Sequence, residues 1–219
     1  MRCGEGRCPV DDRASFVLTL AQRSYLQWKC EVSELTSDIL ATYVAALSAQ
    51  GAVVVDHLQP GLTDREIDAT IAPHGIAIPE EARVWWRFSN GVPEAELGRI
   101  GPEWFWSSLE EVIEERNDML ANLRENLEPD EILWRDTWLP FVMSERLPLE
   151  TASAILAPVF SFDVHTGDPA LPVAASLADL VMTWVRALES GALRYERATG
   201  LFAVDFELAA ILGLPDGIV

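Results

Sequence analysis

The residues that decide the fold are PGLTDREI at positions 60–67 and IPEEARVWWRFSNG at positions 78–91. Thr63 and Glu66 have the Thr-x-x-Glu spacing of a capping box, in which each side chain bonds a backbone amide left open at a helix start. Gly75 predicts the end of this helix, because glycine readily adopts the left-handed backbone that closes helices. The first half of the stretch therefore predicts one capped helix beginning at Thr63.

The second half predicts another helix, which carries aromatic side chains. Pro79 stands at the start, where its missing N–H is tolerated, and two glutamates follow in the first turn, where the helix dipole stabilises negative charge. Trp85 and Trp86 come next at helical spacing, so we expect an indole face to turn inward. Asn90 and Gly91 predict an abrupt end.

Apolar residues at helical spacing predict further helices along the chain. They are a first helix over Leu35–Leu47 stopped at Gly51, a long helix opened by the capping-box pair Ser108 and Glu111 and ended at Pro129, a helix capped by Ser176 and stopped at Gly191, and a short helix around Leu208–Leu212.

Aromatic and β-branched segments between the helices predict strands. They are Trp104–Trp106, an edge strand within Leu133–Met143, the clearest segment Ile155–Val164, its neighbour Pro172–Ala174, and Phe202–Phe206. The Val53–Val55 run fits either a short strand or a segment that extends the packing of the first helix towards Leu58. The fold class expected is α+β: a single domain with a mostly antiparallel or mixed sheet packed against several helices.

The charge of the chain is strongly negative. Its 35 acidic and 16 basic residues give a formal net charge of −19 among 219 residues. Such a field repels phosphate backbones and anionic lipid headgroups, and no apolar run is long enough to cross a bilayer. We therefore expect no direct nucleic-acid binding and no membrane association. A basic protein partner would be attracted by the same field.

Cysteine usage and the N-terminal residues predict a cytoplasmic location. Cys3, Cys8 and Cys30 are odd in number and lack the paired spacing of a zinc site, which is typical of free thiols in a reducing compartment. The apolar run Phe16–Ala21 is too short for a secretion signal, and the acidic Asp11-Asp12 pair precedes it where a signal would carry positive charge.

The order of these motifs resembles the SUKH superfamily, which includes fungal cell-wall assembly regulators and bacterial immunity proteins. The capped helix, the Pro-Glu start and the tryptophan helix resemble the beginning of the family. Trp138-Leu139-Pro140-Phe141 and Ser176-Leu177-Ala178-Asp179-Leu180 resemble its second half. Leu147-Pro148-Leu149-Glu150 departs from it, because a glycine-rich acidic stretch usually stands there. On this basis we expect a leader over residues 1–32 that is partly mobile, a SUKH-like α+β domain over 33–196, and a C-terminal extension over 197–219 packed on the domain.

Signatures of catalysis are few. The chain has no glycine-rich phosphate loop, no Gly-x-Ser-x-Gly elbow and no His-Glu-x-x-His pair. Asp163, His165 and Asp168 lie within six residues and offer possible metal ligands, but Asp, Thr and Gly are also the usual residues of a hairpin turn, which we favour. We therefore predict no catalytic residue, no cofactor and no metal.

Residues 94–131 contain 12 acidic residues against three arginines, which concentrates negative charge on the long helix. The predicted partner-binding residues on this helix are Glu110, Glu111, Glu114, Glu115 and Asp118. Trp104 or Trp106 is predicted as an apolar anchor beside them, since two residues two apart on a strand share one face. Core packing is the default interpretation of both tryptophans, and a merely solvated helix face is the default interpretation of the glutamates.

The function predicted is that of a non-catalytic acidic protein-binding domain. The resemblance implies an immunity protein that neutralises a cognate toxin by direct binding, possible toxins including a basic nuclease. The alternative is an intracellular scaffold or regulator of the same fold. A third hypothesis is a small metal-dependent hydrolase built around Asp163 and His165, and only that local cluster supports it.

Overall fold

The computed structural model describes residues 34–94, 97–102, 104–128, 134–143, 147–152, 155–162 and 171–214. All of these belong to one unit, Val32–Val219. The predicted leader and the predicted cluster at Asp163–Asp168 lie outside the described residues.

Helices make up much of the described chain, and each one was predicted. They are α1 Ser37–Gln50, α2 Asp64–Ile71, α3 Glu80–Phe88, α4 Leu109–Asn126, α5 Leu177–Ser190 and α6 Phe206–Ile211. The last was predicted without a cap around Leu208–Leu212, and it begins at Phe206, which the predicted tail strand Phe202–Phe206 had included. Short 3-10 turns cover Val53–Asp56, Ala72–His74 and Phe141–Met143. The first of these turns rules out a strand at the open Val53–Val55 run. The other alternative fits, because Val54 is buried in the same core cluster as the inner side of α1, and Val55 and Leu58 pack against that cluster.

The predicted capping boxes are both present. At the start of α2, the Glu66 amide donates to Thr63 Oγ1 over 3.3 Å, and the Thr63 amide donates to Glu66 Oε2 over 2.8 Å. Ser108 and Glu111 repeat this reciprocal pattern at the start of α4. Since each box satisfies two amides that a helix start leaves open, the local sequence alone defines where these helices begin.

All strand pairs between described residues are antiparallel, as expected. Four strands form one sheet in the order β1-β2-β3-β4, and two form a second sheet. The strands are β1 Trp138–Pro140, β2 Pro148–Glu150, β3 Val159–Ser161, β4 Leu171–Ala174, β5 Leu193–Glu196 and β6 Leu201–Val204. The α+β prediction is therefore confirmed, with β1 at the sheet edge and β4 beside β3 as expected.

One strand prediction is wrong, and two strands, β2 and β5, were not predicted. Trp104–Trp106 is not a strand, because only an isolated bridge joins Phe105 to Arg99. The departure at residues 147–150 contains β2, which pairs with both β1 and β3. Strands of three or four residues carry too little alternation for periodicity to detect them.

The two halves of the stretch at 60–91 fold onto each other. The Leu62 amide donates to Trp86 O over 2.9 Å, and the Gln59 amide donates to Gly91 O over 2.9 Å. Gly61 lies so close to α3 that a Cβ there would be 1.7 Å from Arg87 O. This glycine is therefore required by the close approach of two backbone segments.

The buried carboxylate of Glu81 links four segments of the domain. Its Oε1 accepts from the amides of Leu35 at 2.9 Å and Ala178 at 3.3 Å, and its Oε2 from those of Ala157 at 2.8 Å and Leu177 at 3.2 Å. Burial raises the pKa of Glu81 above its ordinary value, and these backbone hydrogen bonds oppose that rise. The side chain thus joins α3 to the segment before α1, to the loop before β3 and to the start of α5.

Candidate functional site

The long helix α4 has one buried side and one acidic side. Its buried residues are Leu109, Val112, Ile113, Arg116 and Leu120. Glu110, Glu114 and Asp118 recur every four residues on the opposite side, and all three are exposed. We call these three residues the acidic face.

The acidic face borders a shallow recess between α4 and the end of α2. The recess has a volume of about 300 Å³ and is lined by the three residues of the acidic face together with Ile113, Asn117, Thr70 and His74. Asn117 Nδ2 lies 3.1 Å from His74 Nδ1, so this pair joins the two helical segments across the recess. Ile113 gives it an apolar wall beside the carboxylates.

The other two glutamates predicted as contacts have different surroundings. Glu111 Oε2 accepts from the Ser108 amide at 2.8 Å and from Ser108 Oγ at 3.0 Å, so its carboxylate is held in the capping box. Glu115 is half-exposed on the helix but does not line the recess. The structure therefore brings together three of the five predicted acidic residues.

Asn90 positions the first residue of the acidic face. Its Oδ1 accepts from the Leu109 amide at 2.9 Å, and its Nδ2 donates to Glu110 Oε2 over 3.1 Å. The same side chain thus bonds the start of α4 and orients one of the carboxylates. Asn90 was predicted only as part of a helix stop.

The single arginine on the inner side of α4 directs its charge away from the acidic face. Arg116 Nε donates to Trp138 O over 3.2 Å, and its Nη2 donates to Asp136 O over 2.5 Å. Burial lowers the pKa of Arg116, and the charge of Asp136 opposes that effect. The guanidinium therefore fixes α4 against β1 instead of neutralising the outer carboxylates.

The ion pairs between described residues lie away from the acidic face. Arg83 bonds Asp68 at 2.6 Å, and Arg87 bonds Asp64 at 3.3 Å and also Glu80. None of the ion pairs between described residues includes a residue of the acidic face. The negative charge of these three carboxylates is therefore left uncompensated by any described arginine within 4.0 Å.

The prediction of Trp104 or Trp106 as an exposed anchor is wrong. Trp104 is 5% exposed and Trp106 is fully buried. Trp106 stacks on Trp85 with 4.4 Å between ring centroids, and Trp104 stacks on Trp184 at 5.2 Å. The two indoles do share one side of the chain, but that side faces the core, because aromatic surface of this size is stabilised by burial.

The described residues were also searched for sites that could hold a metal ion. No group of three or more His, Cys, Asp and Glu side chains among the described residues is placed to hold a metal ion. His74 lies at the recess, and His57 follows the first 3-10 turn.

None of the described helices combines the length and apolar content needed to cross a membrane.

Sequence reasoning missed the residues that the recess takes from outside α4. Thr70 and His74 come from the end of α2 and its 3-10 extension, about 40 residues before their neighbours on α4. Nothing in local spacing indicates that pairing. The four-residue spacing within the acidic face was, in contrast, readable from the sequence.

Comparison of the chain with models of known protein families gave no match, and comparison with curated proteins gave none. The resemblance to the SUKH superfamily stays a prediction.

Proposed function

We propose that this chain is a non-catalytic protein-binding domain whose acidic face receives a positively charged protein. The observation that carries the proposal is the alignment of Glu110, Glu114 and Asp118 around one recess, without an ion pair to any described residue. A recess of about 300 Å³ is large enough to receive a lysine or arginine side chain of a partner. Ile113 would contact the aliphatic part of such a side chain.

The charge of the whole chain supports the same proposal. A formal charge of −19 accelerates association with a basic protein and repels nucleic acid. Proteins that hold phosphate backbones have positively charged clefts, so a surface rich in carboxylates competes for those clefts. A nuclease is therefore a fitting partner on electrostatic grounds.

The sharper form of the proposal is a cytoplasmic immunity protein that neutralises such a toxin by direct contact. Support for this form comes from the motif order that resembles the SUKH superfamily, together with the acidic face. Binding over a basic cleft would exclude the substrate without any chemical step by this chain.

Affinity capture from the host cell tests the proposal. The baits are the wild type, the triple variant E110K/E114K/D118K, and the control E34K/D56K/E189K. The control reverses three exposed acidic residues away from the recess and changes the net charge by the same amount. Bound proteins are quantified by mass spectrometry.

We expect a basic protein to be captured by the wild type and the control but not by the acidic-face variant. Several unrelated partners would favour the scaffold or regulator alternative instead. Equal capture by all three baits would show that the acidic face is only a solvated surface.

A further inference from the structure

The described sheets have four edges, and three of them are protected against pairing with another strand. Pro140 lies in β1 and Pro172 in β4, and proline on an edge strand removes a donor needed for pairing. The edge of β5 is covered by the side chain of Gln50. Its Oε1 accepts from the Tyr195 amide at 2.6 Å, and its Nε2 donates to Leu193 O over 3.2 Å.

The edge of β6 has none of these protections. Its four residues, LFAV at 201–204, include no proline and no charge, and no described strand lies along its outer side. Apolar side chains are exposed beside it, since Leu201 is 48% and Phe206 is 72% exposed. An edge of this kind is a template for a further strand.

The register of the hairpin shows which backbone groups lie on that edge. Tyr195 pairs with Phe202, and Leu193 pairs with Val204. The Tyr195 N–H and the Leu193 C=O bond Gln50 and not β6, so these two residues belong to the pairs that do not hydrogen-bond to each other within the hairpin. In such pairs the N–H and C=O groups of both residues point away from the partner strand. The N–H and C=O groups of Phe202 and Val204 therefore point outward from β6.

We propose that the β6 edge is the interface of a symmetric dimer of this chain. A two-fold axis through Ala203 places Phe202 of one copy opposite Val204 of the other, and the reverse. Each of these two pairs exchanges two N–H···O bonds, so the pattern of outward groups on β6 is complementary to itself. Ala203 meets its own copy at the centre, where its small side chain permits close approach.

Local charge opposes a second copy less at this place than at the acidic face. Residues 191–214 contain three acidic and two basic residues, whereas the whole chain has a formal charge of −19. Two copies that approach through β6 therefore bring little like charge into direct contact. The proposed β6 interface contains no residue of the acidic face on α4.

Molar mass in solution tests the dimer. Light scattering after size-exclusion chromatography should give about twice the 24.3 kDa of one chain for the wild type. In Ala203→Lys two lysines would face each other across the axis, so the mass should fall to that of one chain. The matched control is Ala198→Lys, which adds the same charge at an exposed position in the hairpin turn and should leave the dimer intact.

A disulfide test does not depend on the lysine variant folding. Residues paired without hydrogen bonds in an antiparallel ladder have Cα atoms about 4.5 Å apart, a distance that a disulfide spans. In a background where Cys3, Cys8 and Cys30 are serine, Ala203→Cys should form a covalent dimer on mild oxidation, and Ala198→Cys should not. A wild type that stays monomeric up to about 1 mM, a dimer that persists in a folded Ala203→Lys, or the absence of the crosslink would overturn the proposal.

Discussion

Each oxygen of the buried Glu81 carboxylate accepts two backbone N–H groups, which leaves no position for a donor. Glu81→Gln would place an amide NH₂ group against two N–H donors in either orientation of the side chain. We expect the free energy of unfolding to fall by about 3 kcal/mol, measured by urea denaturation. The control, Glu114→Gln, is exposed and should change it by less than about 0.5 kcal/mol. Similar values for the two variants would contradict the assigned hydrogen bonds.

Two glycines of the stretch at 60–91 are needed for different physical reasons, and one substitution at each position tells these reasons apart. Gly61→Ala would place a Cβ 1.7 Å from the Arg87 carbonyl oxygen. Gly75 has φ of 64° and nothing within 4 Å of an added Cβ, so Gly75→Ala meets only the cost of the left-handed backbone, about 1 kcal/mol. We expect Gly61→Ala to lower the melting temperature more than Gly75→Ala. The opposite order would mean that the two segments do not approach as described.

The helix start at Ser108 contributes to stability through its capping box. Ser108→Ala removes the hydroxyl that accepts from the Glu111 amide at 3.2 Å, so we expect a loss of about 1 kcal/mol in the free energy of unfolding. Ser48→Ala is the control, because Ser48 is an exposed residue within α1, where alanine is the better helix former. A loss at Ser48 as large as that at Ser108 would contradict the cap.

The capping box of α2 predicts a pH dependence. Hydrogen bonds from the Thr63 backbone and hydroxyl lower the pKa of Glu66 below its ordinary value. A carboxyl with a lowered pKa stabilises the fold above its unfolded pKa and loses that effect as the pH falls through the folded one. The wild type should therefore be more stable than Glu66→Gln at pH 7, and the difference should close on acidification. A difference that stays constant down to acidic pH would be inconsistent with the box.

Elements differ in how far the sequence determines them. The helices could be predicted because caps such as Thr63 and stops such as Gly191 act within one turn of the backbone. Strands such as β2 could not, because three residues become a strand only through partners elsewhere in the chain. The predicted strand in the C-terminal tail is β6. It pairs with β5 in a sheet separate from the main one, and periodicity did not reveal β5.

At the scale of the whole molecule, the sequence predicted where negative charge accumulates but not what surrounds it. The spacing of Glu110, Glu114 and Asp118 follows from the helix repeat. Whether Trp104 and Trp106 are buried or exposed does not follow from alternation, because alternation shows that they share a side but not which side faces the core. Thr70 and His74 reach the recess only because α2 packs beside α4.

The central claim is that the acidic face binds a basic protein by charge. Isothermal titration calorimetry with the protein captured by the wild-type bait, at two salt concentrations, tests it most directly. We predict that E110K/E114K/D118K weakens binding by about 100-fold at low salt and that the wild-type affinity itself falls as salt rises. The control E34K/D56K/E189K should bind within a few-fold of the wild type. An unchanged affinity of the acidic-face variant, with no salt dependence in the wild type, would contradict the claim.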